Sequence, residues 1–170
     1  MASPANSPAI KRLVRALQTP LTPQQLRGAW FDSGVERAFL SPGLEAGARL
    51  RALAELRAIA AYAPQPQPVI HDFMAELDRM ALRILSAEGL LQDPPEPCLP
   101  PLDQAERLLQ LAGDGCLPRG PIGLMAAARS QKLILSNKGR DAMINDPERS
   151  ARILDSLNAA LAAAQRWEVT

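Results

Sequence analysis

Three of the expected helix starts pair a capping side chain with proline at the next position: Thr22-Pro23, Ser41-Pro42 and Asp146-Pro147. That pairing marks a helix start. The side-chain oxygen accepts a backbone N–H that a first turn leaves without a partner. Proline there loses nothing, because its missing N–H had no partner to lose. Thr22 also has Gln25 three residues on, the spacing of a capping box. The chain holds sixteen prolines, and proline inside a helix costs about 3 kcal/mol, so they belong at helix starts or in connectors. Between them Ala and Leu, the best helix formers, dominate, and aromatic residues are only 4%. The expectation is an all-α fold of six to eight helices with Pro-rich connectors. With 170 residues, such a domain buries roughly 70% of the surface its unfolded chain exposes.

Apolar spacing places helices over 8–18, 23–30, 42–61, 68–91, 102–112, 121–130 and 147–167, with a short turn through Leu40 capped by Ser33 and Glu36. The segment 68–91 has the clearest pattern. Ile70, Phe73, Leu77, Met80 and Ile84 recur at steps of three and four, and Asp72, Glu76, Arg79 and Arg83 occupy the opposite face as solvated pairs. "APQPQP" at 63–68 reads as an extended, unpaired path. "QDPPEPCLPP" at 92–101 cannot be helical and reads as a linker between an N-terminal helical part, 1–91, and a C-terminal helical part, 102–170, which together form one compact domain. No internal repeat is present, since the helices differ in length and the loops share no motif.

Several function classes find no support. No run of about 20 apolar residues exists to span a membrane, and the N-terminus lacks a charged region followed by an apolar one. Cys98 and Cys116 are too few for a disulfide framework and lack CxxC spacing, which points to a reducing cytoplasm. His71, the only histidine, stands beside Asp72 at a helix start and off the apolar stripe, as a solvated histidine does. One His and two Cys fall short of the four ligands a structural zinc site uses. Phosphate-loop, dinucleotide and nucleophile-elbow motifs are absent. No catalytic residue, cofactor or metal is expected.

Charge is unevenly spread. Residues 1–31 carry four bases and no acid, 32–114 carry 13 acids and 7 bases, and 115–140 carry five bases and no acid. Such asymmetry serves an anionic partner or lets basic segments fold against the acidic middle; the balanced net charge of +1 favours the second. Sixteen of the nineteen bases are Arg, as a GC-rich bacterial genome produces. Within the second basic stretch, "KLILSNKGRDAM" at 132–143 resembles the second wing strand and following helix of winged-helix regulators. The resemblance implies nucleic-acid binding, with Lys138 and Arg140 in or beside the wing on backbone phosphates and Gly139 at positive φ. Arg129 and Lys132 are further candidate contacts for an anionic partner. The same residues also read as a helix 137–145 capped by Ser136 or Asn137, with 132–135 a connector or helix continuation. Upstream, "LPRGPIGLMAAARSQ" supplies one short apolar helix where a winged helix has a recognition helix and a strand hairpin.

Trp30 and Phe31 lie beside a turn in "RGAWFDSG", and Trp167 lies near the C-terminus. In an aromatic-poor chain they either anchor a partner or pin helices to the core. The functional expectation is a non-catalytic helical protein-binding module, such as an adaptor, regulatory subunit, secretion-type chaperone or phage-type inhibitor, with self-association open to it. The alternative is a nucleic-acid-binding transcriptional regulator using the basic turn around residues 129–140.

Overall fold

The computed structural model describes residues 7–41, 45–91, 99–114, 116–117 and 121–169, with side chains as far as Ala164. The architecture is all-α, and the described residues form nine helices and no strand. They divide into two compact units, Met1–Ile84 and Leu85–Thr170.

The first unit holds α1 (Pro8–Ala16), α2 (Pro23–Ser33), α3 (Val35–Leu40), α4 (Ala46–Ala61) and most of α5 (Gln67–Ala87). Ser7 starts α1 by accepting from the Ile10 N–H at 3.2 Å, and Ile10, Leu13 and Leu17 then fall on one buried face. The capping box of α2 is complete: Gln25 N–H donates to Thr22 Oγ1 at 3.1 Å, and Thr22 N–H to Gln25 Oε1 at 2.9 Å. Gly34 ends α2 at φ 73°, a left-handed position that glycine adopts without steric cost. That corner separates α2 from α3. The N-cap of α3 is Gly34 and no side chain caps it, contrary to the expected Ser33–Glu36 cap. Ser33 ends α2, donating to Trp30 O at 2.8 Å and accepting from the Val35 N–H at 3.3 Å, and Glu36 bonds Trp30 and Arg79 instead. From α1, the Arg12 guanidinium donates to Ser33 O at 2.9 Å. Pro42 lies outside the described residues, but the Ser41-Pro42 pair does not start α4. Glu45 is extended and α4 begins at Ala46 with no side-chain cap, while the Ser41 hydroxyl donates back to Arg37 O at 2.8 Å and so closes α3.

The "APQPQP" break is tied down, contrary to the extended, unpaired path its prolines suggest. The Gln65 amide donates to Leu17 O and Thr19 O, each at 2.7 Å, and accepts from the Leu21 N–H at 2.9 Å. One side chain thus satisfies three backbone groups of the α1–α2 connector. The buried stripe of α5 is Val69, Phe73, Leu77, Met80, Ala81 and Ile84; Ile70 is only half-buried. Phe73 meets the Trp30 ring edge-to-face, with centroids 5.9 Å apart.

The second unit holds α6 (Pro101–Gly113), α7 (Pro121–Leu135), α8 (Asn137–Asn145) and α9 (Pro147–Val169). The segment 132–135 is the last turn of α7, not a wing strand. No breaker interrupts the chain after Ser130, and Leu133 and Ile134 extend the buried stripe of Ile122, Ala126, Ala127 and Ser130 at helical steps. Tertiary burial outweighs the β-branched residue in "LIL". Ser136 then caps α8, accepting from the Gly139 N–H at 3.1 Å. Gly139 is helical, not at positive φ; Gly34 and Gly89 alone are positive among the described residues. Its role is close approach, because a Cβ there would stand 2.1 Å from Leu133 O and 2.9 Å from Ile134 O. Asp146 caps α9 as its Asp-Pro pair foretells, accepting from the Arg149 N–H at 3.1 Å. Ile153, Leu157 and Ala164 are buried along α9, while Leu154 turns outward. The 92–98 part of the Pro-rich linker lies outside the described residues.

Candidate functional site

Adjacent residues on a helix point about 100° apart, so Trp30 and Phe31 cannot both face the core. Trp30 shares its face with Leu26 and Ser33 and is 6% exposed. Phe31 shares its face with Arg27, one turn earlier, and is 84% exposed. The structure therefore separates the pair: Trp30 pins α2 to α5, and Phe31 projects outward. Beside Phe31 lies a hollow of about 400 Å³. Leu26, Trp30 and Ala75 give it an apolar lining, and Arg27, Asp72, Glu76 and Arg79 surround it with charge.

The charges at this hollow fall into two sets. Glu36 of α3 accepts from the Trp30 indole N–H at 3.1 Å, from Arg79 of α5, and from Arg83 at 3.4 Å. Arg79 also donates to Glu76 at 2.6 and 2.9 Å. The Arg79 hydrogen bond first, and the Trp30 one after it, hold the Glu36 carboxyl below the usual carboxylate range. Bonding to Glu36 and then Glu76 raises Arg79 in turn. The polar face of α5 thus carries the exposed Glu76–Arg79 pair that its spacing suggests, and Glu36 of α3 joins it from another helix. Arg27 and Asp72 form the other set: neither makes an ion pair or a side-chain hydrogen bond among the described residues.

The basic candidates separate as well. Arg129 is half-buried, and its guanidinium donates to Leu90 O at 2.8 Å and to Gln104 Oε1 at 3.0 Å, while the Gln104 amide donates to Leu99 O at 2.7 Å. Arg129 is thus a strut of the second unit. Lys132, on the last turn of α7, and Lys138 and Arg140, on the first turns of α8, are exposed and carry no ion pair among the described residues. By contrast Arg149 is fully engaged. It donates to Glu106 at 3.1 and 3.2 Å and to Asp103, and these carboxylates raise it, Glu106 most.

His71 is exposed on α5, and Cys116 is buried, with its Sγ 3.9 Å from Asp114 O. Cys98, Arg119 and the Trp167 side chain lie outside the described residues. No three His, Cys, Asp or Glu side chains converge among the described residues, and no described helix is long and apolar enough to cross a membrane. No protein-family model, curated protein or solved structure matches the chain.

Sequence reasoning missed the hollow and the Glu36–Arg79 network, because both depend on which helices meet. It also missed Tyr62, 93% exposed past the end of α4, and Ile144, 76% exposed on α8. One signal was available for Phe31. Its i−4 neighbour is charged, whereas that of Trp30 is Leu26.

Proposed function

We propose that this chain is a non-catalytic helical module that binds protein through the Phe31 face of its first unit. The observation that carries the reading is a phenylalanine 84% exposed beside an apolar hollow with charged surroundings. Aromatic anchors flanked by a polar rim dominate the energetics of protein interfaces. A lone surface ring is ordinary; a ring with a cavity of about 400 Å³ at its side is a surface prepared for contact. Adaptor, regulatory-subunit, secretion-type chaperone and phage-type inhibitor roles all use such a surface, and a cytoplasmic setting suits a chain with a buried free Cys116. The test is covalent capture from lysate with wild-type chain and with Phe31→Ala. The reading expects a defined protein adduct that Phe31→Ala removes while helical content is retained. An adduct pattern indifferent to Phe31→Ala counts against it.

The exposed cations Lys132, Lys138 and Arg140 favour a second reading, nucleic-acid binding at the α7–α8 corner. It requires affinity that falls steeply with salt as phosphate counterions are released. Fluorescence anisotropy with labelled duplex and single-stranded probes tests it; no binding at low salt removes it.

A further inference from the structure

We infer that the occupant of the Phe31 hollow is a second copy of this chain, related by a two-fold axis. The inference rests on the protein-binding reading above and names its partner. A two-fold interface is self-complementary: if residue i of one copy meets residue j of the other, then j of the first meets i of the second. A surface suited to it carries both halves of every contact.

The Phe31 face has that property in shape. The projecting ring and the hollow lie side by side, with Phe31 itself lining the edge of the cavity. Each copy presents a knob and a hole, so one rotation fills both. It has the property in charge too. Arg27 on α2 and Asp72 on α5 both line the hollow, yet neither is paired within its own copy among the described residues. Glu76 and Arg79 already pair with each other and with Glu36, which leaves Arg27 and Asp72 as the charges of this lining with no ion pair among the described residues. Across the axis Arg27 of each copy faces Asp72 of the other, so one base and one acid make two bridges. An unrelated partner would have to supply ring, cavity, acid and base independently; a second copy brings all four.

The test is sedimentation velocity of the full chain from low to high micromolar concentration. The wild type is expected to pass from monomer to dimer. Phe31→Ala should weaken the dimer at least about tenfold, with its helical circular dichroism unchanged because the ring is exposed. Arg27→Asp puts acid against acid at both bridges, and Asp72→Arg puts base against base, so each alone should lose the dimer. An equimolar mixture of the two restores both bridges and should form a heterodimer. This rescue separates pairing across the axis from a fold defect in either variant. A wild type that stays monomeric throughout, a dimer indifferent to Phe31→Ala, or a mixture that fails to recover overturns the inference. A monomer whose adduct with another protein still depends on Phe31 refutes the two-fold pairing alone. Adducts and sedimentation both indifferent to Phe31→Ala refute the protein-binding reading as well.

Discussion

The Phe31 face of the first unit and the α7–α8 corner of the second handle charge in opposite ways. On the first, Glu36, Arg79, Glu76 and Arg83 neutralise one another and the uncovered group is an aromatic ring. On the second, Lys132, Lys138 and Arg140 carry no ion pair among the described residues, and Ile144 is a large apolar side chain 76% exposed. A surface of the first kind offers apolar contact together with the two charges of Arg27 and Asp72 at its rim. A surface of the second kind attracts any anion and loses it as salt screens the charge. Formal charge along the sequence marks the second of the two and passes over the first. The acid-free stretches stand out in the sequence, whereas the exposed Phe31 ring and the hollow beside it depend on which helices meet.

The sharpest break between the regions is expected at their glycines. Gly139→Ala drives a Cβ to within 2.1 Å of the Leu133 carbonyl, a backbone atom that cannot rotate away. It should cost roughly 3 kcal/mol and separate α8 from α7, read as a lowered urea midpoint. Gly28→Ala, in the exposed middle of α2 with nothing within 4 Å of the new Cβ, should instead stabilise by roughly 0.5–1 kcal/mol. Equal effects at the two sites would sink the close-approach role given to Gly139.

Next come the two polar struts. Gln65→Ala strands two carbonyls and an N–H of the α1–α2 connector, and Arg129→Ala strands Leu90 O. Each should cost about 1–3 kcal/mol in urea unfolding. Lys132→Ala, one turn from Arg129 but exposed, should stay within about 0.5 kcal/mol. An Arg129→Ala as mild as Lys132→Ala would return Arg129 to the set of available surface cations.

A smaller effect should appear in acid. Because the folded carboxyl of Glu36 is held below its unfolded value, its contribution is complete above the unfolded pKa and disappears as pH falls through the lowered folded one. The network is partly exposed, so the contribution stays under about 1 kcal/mol. Glu36→Gln should flatten the acid limb of stability below about pH 5 and leave neutral-pH spectra of Trp30 nearly unchanged. An acid limb identical in Glu36→Gln and wild type would show that the network is not what titrates. The smallest change is expected from Lys138→Glu/Arg140→Glu: stability within about 0.5 kcal/mol, with any affinity for nucleic acid removed.

Much of the fold was legible because its signals are local. Thr22-Pro23-x-Gln25, Asp146-Pro147 and Ser136 each start a helix through atoms within three residues of one another. The wing-strand resemblance failed for the converse reason: Leu133 and Ile134 are helical because of what buries them, which no window of a dozen residues contains. Gln65 looked like a linker residue, since its acceptors lie 46 and 48 residues away. At the site, the residue types were legible and their environments were not. Trp30 and Phe31 are neighbours in sequence, but helix geometry turns one into the core and leaves the other 84% exposed. Arg129 was grouped with Lys132, Lys138 and Arg140 by proximity in sequence, and its half-buried bond to Leu90 O removes it from them.

The most direct measurement places a photo-crosslinking phenylalanine analogue at position 31 in one sample and at position 144 in another, each irradiated under the same conditions with purified chain and with lysate. Both sites are highly exposed, at 84% and 76%, so exposure alone cannot distinguish them. The account predicts a defined protein adduct from position 31, its own chain among the products, and no comparable adduct from position 144. Equal adducts from both, or none from position 31, would contradict the claim that the Phe31 face is where this molecule makes its contacts.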